Sequence, residues 1–558
     1  MKLIAFAFIL WVAPAHGQLP AGQQVRIDSL FQHFTDEGSP GASLGIVQNG
    51  ELIYAKGYGL ANVEYDIPNT PQTVFHMASV SKQFTAFAMV LLQDQGKLSL
   101  DDEVRTYIPE LPEFDEKITI RHLIHHTSGL RDQWNLLAMA GWRLDDVITV
   151  DHIMKLVTRQ QALNFSPGEQ YLYCNTGYTL MAEIVRRVTE KSYGEWMQKH
   201  VFGPLGMENT LFYEDHEQIV LNRAYSYYQS QDGLKKSVLS YANAGATSLF
   251  TTVEDMAKWA ANFRDPVVGS PAVMDTMAQQ GMLTSGDTID YAFGQVVQDY
   301  KGIQRIGHGG ADAGYRTYFG RFPATDYDVI VLSNLANGNP MGLAMQVSDI
   351  LLEDQISEPA EVSKPETEAS ATWTFIDMPV RKLKRYTGQY YFKDVGIAMT
   401  TRMEGDSLYL KQEWNGIEYA IAPASDSIFG IPNDETVTFV FQGFDNGIPQ
   451  QIEVRQAGNV FKGLRQKAEN AIDVSVYAGK YYSPELETYY TLAIAGDHLK
   501  ATHQRHPDFD IQIREADAGT SNRWFFSQVA FTRDDAGEVN GMKVSCGRVL
   551  DLWFERVD

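Results

Sequence analysis

Ser79 and Lys82 stand three residues apart in Phe75-His-Met-Ala-Ser-Val-Ser-Lys-Gln-Phe-Thr85. On a helix, side chains at that spacing share a face, so Lys82 can reach the Ser79 hydroxyl. A buried lysine in its amine form can then take the serine proton and make the oxygen a nucleophile. The tetrad alone is weak evidence, because about one Ser-x-x-Lys arises by chance in a chain this long. A second cluster lies in Phe165-Ser-Pro-Gly-Glu-Gln-Tyr-Leu-Tyr-Cys-Asn-Thr-Gly177. Tyr173 placed beside Ser79 and Lys82 could relay a proton, and Asn175 could present its amide to a substrate carbonyl. A third cluster is Gly307-His-Gly-Gly-Ala311, which reads as part of an edge strand. Its glycines let a substrate backbone approach closely. The N–H groups of Ala311 and Ser79 could together form an oxyanion hole.

Alternating helices and strands must carry these groups. Residues 42–50 read as a strand closed by the Asn49-Gly50 turn, and residues 51–57 as its returning partner. Residues 81–95 have helical spacing through Phe84, Phe87, Ala88, Leu91 and Leu92, with Gly96 as the stop. Residues 178–188 and 253–263 read as amphipathic helices, 327–333 as a short apolar strand, and 342–352 as a closing helix. Strands at both ends with helices between predict an α+β or α/β layered domain.

The three clusters, taken in order, resemble the serine hydrolases of the penicillin-binding-protein and class C β-lactamase-like family. That family carries S-x-x-K, then Y-x-N, then K-T-G or H-x-G. Here the matching residues are Ser79 to Lys82, Tyr173 to Asn175, and His308 to Gly310. Two further segments are similar: Leu123-Ile-His-His-Thr-Ser-Gly-Leu130 and Asn243-Ala-Gly-Ala-Thr-Ser-Leu-Phe-Thr-Thr-Val-Glu-Asp255. The resemblance spans about residues 25–352. It implies an α+β catalytic domain, an antiparallel sheet with helices on both sides, and acyl transfer through Ser79. Lys82 and Tyr173 would share the proton, with the main base open. The resemblance implies no metal and no organic cofactor. Asn175, His308 and Gly310 would contact substrate. His308 stands where the lysine of K-T-G usually meets a substrate carboxylate. That favours aminopeptidases, amidases and esterases over a dedicated β-lactamase or a strict D,D-carboxypeptidase. The residue between Tyr173 and Asn175 is Cys174, read as a small packed residue.

Past residue 352 the composition changes. Residues 353–372 are rich in Glu, Ser, Pro, Ala and Thr, as in an exposed linker. Short strand-like runs then follow, separated by Gly and Asn turns. Tyr386-Thr-Gly-Gln-Tyr-Tyr391 recurs as Tyr477-Ala-Gly-Lys-Tyr-Tyr482, an offset of 477 − 386 = 91. Gly405-Asp-Ser-Leu and Gly496-Asp-His-Leu keep that offset. Two all-β modules of about ninety residues are predicted, each a small antiparallel barrel. The expected boundaries are a signal peptide at 1–17, a hydrolase domain at 18–352, a linker at 353–378, and barrels at 379–468 and 469–558. This layout resembles D-stereospecific aminopeptidases, whose extra domains are lipocalin-like. There the modules either gate small D-amino-acid substrates or serve stability, oligomer contacts or cell-wall tethering.

The charge balance, 46 basic against 70 acidic residues for a net −24, argues against nucleic-acid partners and against an electrostatic hold on anionic membranes. Met1-Lys2 followed by an apolar run to Ala13 and Ala15-His16-Gly17 predicts a cleaved leader. The expected location is therefore periplasmic or secreted, with no stable membrane anchor after cleavage. Cys174 and Cys546 are expected to lie in different domains and to form no bridge. His122, His125 and His126 lack the Glu of a zinc helix and are read as structural. His498, His503 and His506 are read as surface residues. Tyr390, Tyr391, Tyr481, Tyr482 and Tyr489 are read as lining barrel interiors or strand faces. Glu169 and Glu254 are read as a turn residue and a helix-start residue. The function expected is an exported serine hydrolase acting on D-amino-acid or peptidoglycan-derived peptides and amides. The alternatives are a carboxylesterase with the same catalytic set, or a non-catalytic muropeptide or β-lactam binding protein. Oligomeric state is left open.

Overall fold

The computed structural model describes residues 19–356, 374–392, 397–413, 417–432, 434–456, 459–466 and 472–558. The expected leader and most of the expected linker lie outside the described residues. The chain forms two compact units. The first takes the chain up to Gly129, then Leu144–Ile153, then continues from Phe165; the second takes Leu130–Arg143, Met154–Asn164 and the C-terminal tail.

The first unit is built on a six-stranded antiparallel sheet. Its strands are β1 (Ala42–Gln48), β2 (Glu51–Tyr58), β3 (Val296–Tyr300), β4 (Ile303–Asp312), β5 (Tyr315–Phe322) and β6 (Tyr327–Ser333), in the order β3-β4-β5-β6-β1-β2. Asn49 and Gly50 both take positive φ (51° and 81°), the two-residue turn the Asn-Gly pair predicts. Alternation along β1 sends Leu44 and Ile46 to one face, where they meet α1 (Ala21–Leu30) and α5 (Pro340–Leu351) through Ile27, Phe31, Leu343 and Val347. On the other face Gly45 lies against Val253 at the start of α4 (Val253–Asn262). Helix α2 (Lys82–Asp94) is buried from Lys82 through Leu92, as a helix apolar on most of its circumference must be. It packs against α3 (Asn175–Thr189) and Pro271–Met277. Among the described residues no helix is long and apolar enough to cross a membrane.

The tail of the second unit forms two closed eight-stranded barrels. One runs from Gly388–Phe392 to Asn459–Arg465, the other from Gly479–Ser483 to Val549–Arg556. Each closes first strand on last, through Tyr390↔Arg465 and Tyr481↔Arg556. The repeated tyrosines have a shared task. The hydroxyl of buried Tyr390 donates to Tyr386 O, and that of Tyr481 to Tyr477 O (2.8 Å), tying each first strand to the short helix before it. Tyr390 and Tyr481 line barrel interiors, whereas Tyr489 is exposed on a strand face.

The same unit includes the helix Gln133–Met139. Arg131, 2% exposed at its side chain, pairs with Glu485, 3% exposed, at 2.5 Å, and also donates to Leu550 O. Asn135 donates to the Cys546 thiol, which burial pushes up to about 11. Cys174 and Cys546 are both buried thiols. The histidine reading needs correction here. His503 is buried, with Nε2 on Thr488 Oγ1 (2.7 Å), and His506 Nε2 donates to Ala138 O (2.6 Å). The segment Ala138–Gly141 covers both rings: a Cβ on Gly141 would sit 2.2 Å from His503 Cε1.

Candidate active site

The strand Phe75–His76 pairs with Leu249–Thr251 and ends in a tight turn. Ala78 takes φ +49°, a left-handed conformation costly for a residue with a Cβ. The turn Ala78–Ser81 follows, so Ser79 precedes α2 rather than opening it. Ala78, Val80 and Ser81 are buried, whereas Ser79 is partly accessible. Lys82 begins α2 and is fully buried. Its Nζ lies 3.1 Å from Ser79 Oγ, 2.8 Å from Asn175 Oδ1 and 2.7 Å from Ala246 O. Two carbonyl oxygens thus face the amine beside the serine hydroxyl.

Asn175 is the first residue of α3, with Cys174 as its N-cap. The Cys174 N–H donates to His126 Nδ1 (3.1 Å), and the His126 ring lies tilted against that of Tyr173, with centroids 4.2 Å apart. Lys82 Nζ sits 4.9 Å from the Tyr173 centroid and 5.6 Å from that of Tyr178. Tyr178 donates to Ile124 O (2.8 Å), tying α3 to the histidine-bearing helix Ile120–Ile124. An ammonium facing ring π-clouds gains electrostatic support, so the aromatic wall steadies the lysine head when it carries the proton.

β4 closes the site. Gly310 comes so near the serine turn that a Cβ would fall 2.3 Å from both Met77 O and Thr317 Oγ1. Thr317 Oγ1 itself donates to Met77 O (2.8 Å). Gly294 makes a similar approach, 2.5 Å from Gln83 N, at the start of α2. The edge-strand reading of β4 needs refinement. β3 flanks β4 but pairs only as far as Gly307, so His308 to Asp312 run past it. Among the described residues no other strand pairs that flank, which leaves it open to a substrate.

His308 is 8% exposed and both ring nitrogens have protein partners. Nδ1 donates to Gly309 O (2.5 Å), which fixes the tautomer, so the Tyr291 hydroxyl donates to Nε2 (3.1 Å). Burial, then the Lys82 charge, lower His308 to about 4, opposed by the Gly309 bond. The ring is therefore neutral near neutral pH. Burial likewise raises Tyr291 well above the phenol range.

The structure gathers Ser79, Lys82, Tyr173, Asn175, His308 and Gly310 in the first unit, with Ala311 next along β4 from Gly310. Tyr291, His126 and the Ala246 carbonyl join them and were not read as site groups. His122 serves as a cap, its Nδ1 accepting from Thr119 N, and His125 donates to Tyr291 O. Glu169 accepts from Ser166 N and Glu254 sits in the first turn of α4, both structural placements. Among the described residues no group of three or more His, Cys, Asp or Glu could hold a metal ion.

A layered antiparallel sheet with a serine and a buried lysine on one turn, closed by a glycine-rich strand, defines a serine hydrolase of the β-lactamase and penicillin-binding-protein type. The chain belongs to the Beta-lactamase family, whose model matches residues 27–351. Among its relatives is penicillin-binding protein 4* of Bacillus subtilis, 28% identical over 403 residues that cover 69% of this chain and 87% of that protein. The D-aminopeptidase of Brucella anthropi is 22% identical over 563 residues, 95% of this chain and 97% of that one. In fold the chain is similar to an octameric penicillin-binding protein homologue from Pyrococcus abyssi, with a TM-score of 0.55 and 24% identity over 87% of this chain and 99% of that one.

Proposed function

We propose that this chain hydrolyses D-amino-acid amides and short peptides from their N-terminal end through an acyl-enzyme on Ser79. The observation that carries the reading is the Lys82 amine held 3.1 Å from Ser79 Oγ while facing Asn175 Oδ1 and Ala246 O. In the amine form, two N–H bonds directed at those oxygens leave the lone pair for the serine proton. The serine oxygen attacks the substrate carbonyl and its proton passes to Lys82, directly or through Tyr173. The N–H groups of Ser79 and Ala311 receive the oxyanion. Collapse of the tetrahedral centre breaks the C–N bond, and the same proton leaves on the amine. Water then adds to the ester and releases Ser79.

His308 supports the choice of substrate. A neutral ring with both nitrogens engaged offers no fixed cation for a carboxylate beside the scissile bond. The similarity to the D-aminopeptidase of Brucella anthropi over nearly the full chain supports the same class. The test is hydrolysis of D-alanine p-nitroanilide by the full chain, beside the L-enantiomer and Ser79→Ala. D-selective turnover lost in Ser79→Ala is expected. Turnover of p-nitrophenyl esters alone would move the assignment to an esterase.

A further inference from the structure

Behind the proposed oxyanion site runs a directed chain of hydrogen bonds, buried at its His76 end, that the acyl-transfer chemistry does not use. The Ala78 N–H donates to His76 Nδ1 (3.1 Å). That bond requires an unprotonated Nδ1, so the proton of the neutral ring is on Nε2, which faces Thr247 Oγ1 at 3.4 Å. Burial, followed by the Arg223 charge, keeps His76 neutral. The Thr247 hydroxyl donates to Asp312 Oδ2, and Tyr241 hydrogen-bonds the same carboxylate. The ends of this chain are telling. Ala78 is the left-handed residue directly before Ser79, and Asp312 directly follows Ala311. The chain therefore joins the two backbone segments whose N–H groups would hold the oxyanion.

We infer that His76, Thr247 and Asp312 are positioning residues that fix the spacing of the Ser79 and Ala311 N–H groups. The inference rests on the acyl-enzyme reading above. The Thr317 bond to Met77 O holds the same two segments from the side of β5, but it does not reach Ala78 or Asp312. A half-buried carboxylate held by two hydroxyl donors is a firm anchor, because loosening it would cost both bonds in a partly desolvated setting. Two donors aimed at developing charge gain most when their spacing is preset.

The experiment compares Thr247→Val, Thr247→Ser and Asp312→Ala with the wild-type full chain. Rates are divided by the concentration of sites labelled by a fluorophosphonate, so unfolded protein does not count. Thr247→Val is expected to lower kcat about 10- to 100-fold with KM within about twofold, since only transition-state binding is lost. Thr247→Ser restores the hydroxyl and is expected to recover kcat to within about threefold. Asp312→Ala should match Thr247→Val and serves if that variant does not fold. Inhibition by a small boronic acid that forms a tetrahedral adduct should weaken in step with kcat. Unchanged kcat per labelled site in both disruptive variants, or equal losses in the Val and Ser variants, would overturn the positioning role. Turnover surviving in Ser79→Ala would instead remove the acyl-enzyme reading, and the oxyanion role with it.

Discussion

His308 makes the acid stability of the first unit predictable. Its ring is held at about 4 by burial and by Lys82, against an ordinary 6.5. The folded ring stays neutral while the unfolded one takes up a proton below 6.5, so between those values the unfolded state binds more protons. The stability linked to this group is therefore complete above about pH 6.5 and is lost as pH falls towards 4. At about 1.36 kcal/mol per pH unit, the interval from 6.5 down to about 4 caps the loss at about 3.4 kcal/mol. Between about pH 7.5 and about pH 4.5 the linkage gives about 2.5 kcal/mol. In His308→Gln the group no longer titrates, while His76 and His125, also lowered by burial, remain and cancel in the comparison. The assay is urea unfolding of both full chains at the two pH values, followed by tryptophan fluorescence. The variant is expected to be less stable at pH 7.5 through lost hydrogen bonds, yet to lose about 2 to 3 kcal/mol less on acidification. A pH dependence matching the wild type within about 0.5 kcal/mol would refute the account of a neutral, buried His308.

Gly310→Ala should lower kcat per labelled site by about 100-fold or more, because its Cβ would displace Met77 O from 2.3 Å and pull apart the two N–H groups; esterase kinetics on titrated enzyme measure this. Arg131→Met should destabilise the second unit by about 3 to 5 kcal/mol by leaving Glu485 buried without its charge partner, and pairing it with Glu485→Met should recover most of that loss in a denaturation cycle.

Much of this architecture was legible in the chain. Three short clusters pointed to groups that do converge, because each lies where an element begins or ends: Ser79 before α2, Asn175 at the head of α3, His308 to Ala311 where β4 outruns β3. A 91-residue offset between matching tyrosine motifs announced two barrels. What escaped were groups whose value comes from long-range placement. Tyr291 reads as one aromatic among many until β4 carries His308 to within 3.1 Å of its hydroxyl. The Ala246 carbonyl has no side-chain signal at all. His503 looked like a surface residue because the sequence does not say that Ala138–Gly141, some 360 residues earlier, lies against it. Asp312 and His76 carried ordinary residue types, and their bond through Thr247 appears only once three separate segments meet.

The interleaving of the two units bears on how such a protein can be recombined. Leu130–Arg143 and Met154–Asn164 are drawn from the middle of the family-matched stretch, yet their side chains are satisfied by Glu485, Cys546 and the Arg548–Leu550 backbone. The C-terminal barrel is therefore not a detachable cassette. A crossover near residue 358 that imported a tail from a distant relative would leave Arg131 and Asn135 facing foreign partners. A viable chimera has to exchange Leu130–Arg143 and Met154–Asn164 together with the tail, so stretches of chain far apart in sequence are inherited as a single block.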